Sequence, residues 1–163
     1  MQSRLSVVAV ALFCSVTAQA VTTRSHAKNP ILGTWHLNVA KSTFEGVPAL
    51  KSQTRTYEDL GCGIVHAKFE GIDAAGKRTF TEFAARYDGK DYPRVTRGSQ
   101  TAGTIALKKI GDRASEFTYK EDGKVTISGT RTTSADGKIS TVKYSGTNTD
   151  GKSVSATLVF DKE

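Results

Sequence analysis

Residues 121–160 read EDGKVTISGTRTTSADGKISTVKYSGTNTDGKSVSATLVF, and the triplet Asp-Gly-Lys begins at Asp122, Asp136 and Asp150, every 14 residues. Asp and Gly tolerate the positive φ angles of tight hairpin turns, so each triplet predicts a turn between two strands. Between the turns, apolar side chains alternate with hydroxyl side chains, most clearly in SVSATLVF (153–160). Because a period of two places one set of side chains on the inner face, the stretch predicts consecutive antiparallel hairpins.

Short runs of the same kind continue upstream of this stretch. Strands are predicted at 34–39, 52–58, 64–70, 78–87, 91–95, 104–110, 114–120, 125–133, 139–145 and 153–160. An open meander of this length would expose two unpaired edges, and closure into a barrel removes them. The predicted fold class is therefore all-β, an antiparallel up-and-down barrel of about ten strands, within a range of roughly eight to ten.

The N-terminus has the layout of a secretory signal peptide. Arg4 precedes an apolar run from Leu5 to Val16, and the small-x-small ending Ala18-Gln19-Ala20 follows. The run is too short and too polar to span a membrane, which takes about 20 apolar residues. We therefore expect export, with the protein periplasmic or secreted after cleavage near Ala20.

The rest of the chain is predicted to form one domain. Residues 21–30 are polar and aperiodic and predict a disordered tail, so the barrel domain covers 31–163. Cys62 is the one cysteine after the signal peptide, so no internal disulfide is expected. Its place in a Gly-rich turn predicts an unreactive residue, with pairing between molecules as the alternative. A monomer is predicted.

The net charge of +7 comes from 23 Lys and Arg against 16 Asp and Glu. In a meander, successive turns fall at opposite ends of the barrel, which separates Lys77, Lys124 and Lys152 from Lys90 and Lys138. A nucleic-acid surface needs its basic residues on one face. The sequence therefore predicts a solvated exterior and no nucleic-acid partner.

Residues 30–44, PILGTWHLNVAKSTF, carry a family resemblance through Gly33-Thr34-Trp35. With the strand count and the short non-strand segment AKSTFEGVPAL (40–50), they resemble the calycins, meaning lipocalins and fatty-acid-binding proteins. Residues 31–163 resemble small exported bacterial proteins described as lipocalin-like. The resemblance implies a barrel around a small apolar ligand. However, the Arg and Tyr that hold the ligand carboxylate on the last strand of fatty-acid-binding proteins correspond here to Leu158 and Phe160.

Alternation and the resemblance together predict which residues face the ligand. The predicted barrel interior consists of Trp35, Phe69, Phe117, Ile127, Arg131, Val154, Leu158 and Phe160. The predicted portal consists of Phe44, Val47 and Leu50, at the same end as the turn 72–77 and the loop 97–103. Trp35 is also interpreted as a core plug that closes one end of the barrel, and the portal residues have the same alternative.

Arg131 is in phase with the apolar residues of its strand, so its guanidinium is predicted to face inward. A buried unpaired charge would cost several kcal/mol, and the residue therefore needs a partner. The preferred interpretation is packing against the Trp35 ring, as a similar Arg does in lipocalins. The alternative is a bound carboxylate or other anion.

No catalytic or metal-binding pattern emerges. His26, His36 and His66 are placed on a tail and on separate strands, several acids are accounted for by turns, and no Ser-His-Asp arrangement is visible. An EF-hand reading of GTNTDG (146–151) fails at the ligand positions. No cofactor, no metal and no enzymatic activity are predicted.

The predicted function is an exported carrier or sensor of a small apolar or amphipathic molecule. The alternative is an interaction module or inhibitor, in which the barrel is filled by its own side chains and the loops bind a protein. An apolar cavity of about 300 Å³ or more would favour the carrier.

Overall fold

The computed structural model describes residues 29–98, 103–148 and 151–163. In chain order, the strands within these ranges are β1 (Gly33–Leu37), β2 (Thr43–Glu45), β3 (Leu50–Asp59), β4 (Ile64–Asp73), β5 (Arg78–Arg86), β6 (Asp88–Thr96), β7 (Gly103–Gly111), β8 (Ala114–Glu121), β9 (Lys124–Thr133), β10 (Ile139–Thr147) and β11 (Ser153–Lys162). A 3₁₀ turn, Val39–Lys41, separates β1 from β2. The predicted signal peptide and nearly all of the predicted tail lie outside the described residues. In the described part, no helix is long and apolar enough to cross a membrane.

Ten of these strands form a closed antiparallel barrel, as predicted. From β3 to β11 each strand pairs with the next one in the chain, and β1 lies between β3 and β11. Trp35 is opposite Arg55 on one side and Lys162 on the other. The pairing of β1 with β11 removes the open edges, and the barrel is compatible with a calycin-like fold.

The short strand β2 departs from the prediction, because residues 40–50 were expected to form no strand. Ser42 ends the 3₁₀ turn that interrupts the first strand. Its hydroxyl connects the chain to β11, because it accepts a hydrogen bond from the Val159 amide at 3.0 Å. The Asn38 side chain donates to Asp161 at 2.7 Å. After the 3₁₀ turn, the chain pairs with β11 again, and Thr43 lies opposite Thr157. β2 therefore extends β1 along the same neighbour.

The inner face of the barrel is apolar, as the alternation predicts. Along β11, Val154, Ala156, Leu158 and Phe160 are buried, while the residues between them are partly exposed. Trp35 is fully buried, and its indole Nε1 donates to the Ile31 carbonyl at 2.6 Å. This hydrogen bond satisfies the indole N–H that burial would otherwise leave without a partner.

The predicted turns are confirmed at two Asp-Gly-Lys triplets. The Asp136 carboxylate accepts from the Lys138 amide at 3.0 Å, and Asp122 and the glycine that follows it both have positive φ, 48° and 77°. Asp150 lies outside the described residues. The chain contains one more Asp-Gly-Lys triplet, at Asp88, which also predicts a turn, but it forms the first three residues of β6, where the pairing with β7 is irregular between Asp88 and Asp91. At this position the Asp-Gly-Lys sequence coincides with a bulge in the β6–β7 pairing.

Alternation of the turns divides the molecule into two ends. At the upper end lie the connection from β2 to β3 and the turn between β4 and β5, where Leu50 is opposite Asp73. The lower end contains the turns after Asp59 and Gly111, together with residues 29–32. This matches the predicted grouping of the connections, and the loop predicted at 97–103 lies mostly outside the described residues.

Candidate functional site

The interior of the barrel contains a cavity of about 160 Å³, here called the barrel cavity. It is lined by Leu50, Gln53, Arg55, Tyr57, Phe69, Thr81, Phe83, Ile105, Leu107, Ser115, Phe117, Tyr119, Ile127, Arg131, Val142, Tyr144 and Leu158. The lining combines aromatic rings and aliphatic side chains with a small set of polar groups, which is typical of small-molecule sites. Its volume is about half of the 300 Å³ expected for a general carrier.

Two arginines give the barrel cavity its charge. Arg55 on β3 and Arg131 on β9 both line it, and none of the described residues that line it is Asp or Glu. The lining phenol of Tyr119 has a pKa raised by burial, and burial likewise raises the pKa of Tyr144. These phenols therefore stay neutral at physiological pH, and the guanidinium charges are not cancelled by the cavity wall.

The Arg55 guanidinium lies between two phenyl rings. Its central carbon is 4.4 Å from the ring centroid of Phe69 and 4.4 Å from that of Phe160. Nε donates to the Gln53 side chain at 2.8 Å. Arg55 faces inward because it alternates with outward threonines on β3 and is paired with Phe69 on β4. The rings stabilise the cation but do not neutralise it.

The Arg131 guanidinium is buried, as predicted, but its partners differ from the preferred interpretation. Nη2 donates to the Tyr87 hydroxyl and, at 3.1 Å, to the Ser115 hydroxyl. The central carbon lies 5.0 Å from the Tyr57 ring. Burial acts to lower the pKa of Arg131, but Tyr57 and Tyr87 outweigh this effect and the pKa is raised. Arg131 is therefore a permanent cation that donates to hydroxyl groups rather than to carboxylates.

The predicted packing of Arg131 on Trp35 was wrong. The cation over the Trp35 ring is the Lys162 ammonium, 5.0 Å from the ring centroid. Lys162 reaches this position because it is opposite Trp35 in the β1–β11 pairing that closes the barrel. The closing strands thus provide the partner of Trp35, and Arg131 contacts the cavity.

A third inward arginine is neutralised. Arg94 forms a partly buried ion pair with Glu121, donates to Thr96 at 2.5 Å and lies 4.5 Å from the Tyr119 ring centroid. Glu121 follows Tyr119 in phase on β8. The contrast with Arg55 and Arg131 is informative, because the same barrel supplies an acid to one inward guanidinium and neutral groups to the other two.

The predicted interior residues fall into two groups. Phe69, Phe117, Ile127, Arg131 and Leu158 line the barrel cavity. Trp35, Val154 and Phe160 are buried outside its lining. Of the predicted portal, Leu50 lines the cavity, whereas Phe44 and Val47 are partly buried against the core. Their role as a portal stays a prediction.

The sequence reasoning missed Arg55, Tyr57, Tyr119 and Tyr144 as cavity residues. Arg55 and Tyr57 lie in SQTRTYE (52–58), where every residue is polar or amphipathic. Such a run has no apolar face that would show which side is inward. The in-phase spacing of Gln53, Arg55 and Tyr57 was the available signal.

His66 forms the main titratable cluster on the outer face. It contacts Glu82 at 2.8 Å and Glu58 at 3.3 Å on the neighbouring strands. The hydrogen bond to Glu82, together with the contact to Glu58, raises the pKa of His66 despite partial burial. Among the described residues, no group of three or more His, Cys, Asp and Glu side chains is arranged to hold a metal.

Comparison with known proteins adds no assignment. No protein-family model matches the chain, and no curated protein matches it in sequence.

Proposed function

We propose that this protein is an exported, non-enzymatic binding protein of the calycin type that holds a small amphipathic carboxylate inside its barrel. The observation that supports this function is the pair of inward guanidinium groups, Arg55 and Arg131, in a cavity whose described lining contains no acid. Export rests on the N-terminal sequence pattern alone.

The inward charges of Arg55 and Arg131 carry an energetic cost. Charged groups inside a protein are normally paired, because leaving water without a counter-charge costs several kcal/mol. Hydroxyl groups and aromatic faces offset part of that cost for Arg55 and Arg131. A bound carboxylate would supply the missing negative charge and accept strong charge-assisted hydrogen bonds. The bound carboxylate would thus offset the charge of these two arginines, as Glu121 offsets the charge of Arg94.

The volume limits the size of the ligand. An apolar cavity of about 150 Å³ accepts benzene, and the barrel cavity has about 160 Å³. Aromatic monocarboxylates with one ring, and short branched acids, match this size. Long-chain fatty acids do not fit the cavity as it stands. The aromatic walls formed by Phe69, Phe83 and Phe117 favour a flat apolar body.

The small volume also favours the second candidate, an interaction module with a filled barrel. In that case the two arginines would be structural, and the loops would bind a protein partner. The two candidates differ in a simple respect: only the carrier binds benzoate more tightly than its uncharged isostere, benzamide.

A methyl-resolved NMR titration tests the proposal. Benzoate is added to the protein at neutral pH, and benzamide serves as the matched neutral ligand. We expect benzoate to shift the interior methyl groups of Ile105, Leu107 and Leu158 and to leave the exposed Val95 and Val125 unchanged. Benzamide should produce the same pattern only at much higher concentration. Equal affinity for both ligands, or shifts confined to exposed methyl groups, would reject the proposal.

A further inference from the structure

A second and larger hollow lies at the lower end of the barrel, with a volume of about 880 Å³. We call it the lower cleft. One wall is apolar and includes Pro30, Ile31 and Leu32, which precede β1, and Val65 on β4. Ile31 is fixed there because its carbonyl accepts the Trp35 indole hydrogen bond. The apolar wall is therefore anchored to the barrel core.

The floor of the lower cleft meets the barrel cavity. Arg131 and Ser115 line both hollows, so the Arg131 guanidinium forms part of the partition between them. Arg131 is 9% exposed, and it donates to hydroxyl groups, those of Tyr87 and Ser115, rather than to a carboxylate. Tyr87 also lines the lower cleft. The lower cleft thus has a polar floor, formed by Arg131, Ser115 and Tyr87, beneath its apolar wall.

The rim of the lower cleft adds positive charge. Arg113 lines it and makes no ion pair with any acid in the described part of the chain. Lys109 is 3.7 Å from Asp112, so those two charges offset each other. Asp59 accepts a hydrogen bond from the Gly61 amide within its own turn. Arg113 and Arg131 are therefore the lining cations with no acid partner among the described residues. The lining as a whole has one net positive charge, because it contains three cations, Lys109, Arg113 and Arg131, and two acids, Asp59 and Asp112.

We propose that the lower cleft is a second binding site, which takes an amphipathic aromatic anion too large for the barrel cavity. The apolar wall contacts the body of the ligand, and Arg113 and Arg131 bind its sulfonate, carboxylate or phosphate group. The volume lies in the range of sites for drug-sized molecules, about 300–1,000 Å³. This site does not depend on the proposed function of the barrel cavity, although Arg131 belongs to both.

ANS, an anilinonaphthalene sulfonate, is a suitable probe because it carries a sulfonate on an aromatic body larger than the barrel cavity can hold. We expect one ANS molecule to bind per chain with increased fluorescence. Arg113→Glu should weaken binding about fivefold through charge reversal beside the anion. Lys124→Glu makes the same change in net charge at the opposite end and should leave the affinity unchanged. Equal affinity in both variants would overturn the proposal.

Arg55→Met separates this site from the barrel cavity. Of the two hollows, Arg55 lines the barrel cavity and not the lower cleft, so its replacement should leave ANS binding unchanged while it reduces the preference for benzoate over benzamide. Loss of ANS binding in Arg55→Met would place the probe inside the barrel and reject the lower cleft as its site.

Cys62 provides an independent readout, because it is exposed and lines the lower cleft. Maleimide modification of the Cys62 peptide, followed by mass spectrometry, should slow in the presence of saturating ANS. Benzoate at saturation should have a much smaller effect. Unchanged modification in the presence of bound ANS would show that the probe lies elsewhere and would overturn the assignment.

Discussion

Arg131 and Ser115 are directly opposite each other on paired strands, and the guanidinium Nη2 donates to the serine hydroxyl at 3.1 Å inside the barrel. The same nitrogen donates to the Tyr87 hydroxyl. One side chain thus joins β8, β9 and the end of β5 through polar groups in an otherwise apolar interior. Its removal leaves the buried Ser115 hydroxyl and the partly buried Tyr87 hydroxyl without this donor.

Arg131→Met should therefore destabilise the protein by about 1–2 kcal/mol, since each unsatisfied buried hydroxyl has a cost. Arg55→Met is the matched control, because it removes an inward charge that donates a hydrogen bond to the partly exposed Gln53. Urea unfolding should show a smaller change, or a gain, for Arg55→Met. A larger loss for Arg55→Met than for Arg131→Met would contradict this view of the two arginines.

Trp35→Ala should cost about 3–5 kcal/mol, because the fully buried ring leaves a large void. The substitution also removes the hydrogen bond to the Ile31 carbonyl and the surface on which Lys162 rests. Equilibrium denaturation measures the change. An unchanged midpoint would mean that the closing strands β1 and β11 do not form the observed core.

Gly129 lies between Phe117 and Tyr144 on adjacent strands, and a Cβ at this position would be 2.7 Å from the Phe117 ring and would also collide with the Lys143 carbonyl. Gly129→Ala should therefore destabilise by about 1–3 kcal/mol. Gly111→Ala is the control, because its nearest neighbour would be 3.7 Å away, which is ordinary contact. Comparable losses of stability in the two variants would be inconsistent with the crowding at Gly129.

His66 should stabilise the folded protein more at low pH than at high pH. Hydrogen bonding to Glu82 raises the pKa of His66 in the folded protein, so the charged form is favoured by folding. This contribution, about 0.5 kcal/mol for a partly exposed pair, is complete below the unfolded pKa of about 6.5 and is lost as the pH rises through the folded pKa.

The stability difference between wild type and His66→Gln, from urea unfolding at pH 6 and pH 8.5, should therefore be larger at pH 6. Glu82→Gln should remove most of this pH dependence, because it removes the main partner. A stability difference between wild type and His66→Gln that increases with pH would contradict the predicted effect of the His66 contacts.

The sequence predicted the barrel because β9, β10 and β11 are amphipathic with period two and are separated by strong turn signals. It failed where contacts depend on closure or on polar strands. Lys162 on Trp35 follows from the pairing of the first strand with the last, which local patterns do not specify. Arg55 was missed because the inward positions of β3 are Gln53, Arg55 and Tyr57, which show no apolar face.

The central claim is that the barrel cavity selects a carboxylate through its guanidinium groups. Calorimetric titration of the wild-type protein and of Arg55→Met with benzoate and benzamide tests it most directly, with the exposed Arg86→Met as the control. The wild-type and Arg86→Met proteins should bind benzoate at least about tenfold more tightly than benzamide, which corresponds to about 1.4 kcal/mol. Arg55→Met should keep its fold and show a clearly smaller preference, because Arg131 still lines the cavity. A wild-type protein that binds both ligands equally, or an undiminished preference in Arg55→Met, would contradict the claim.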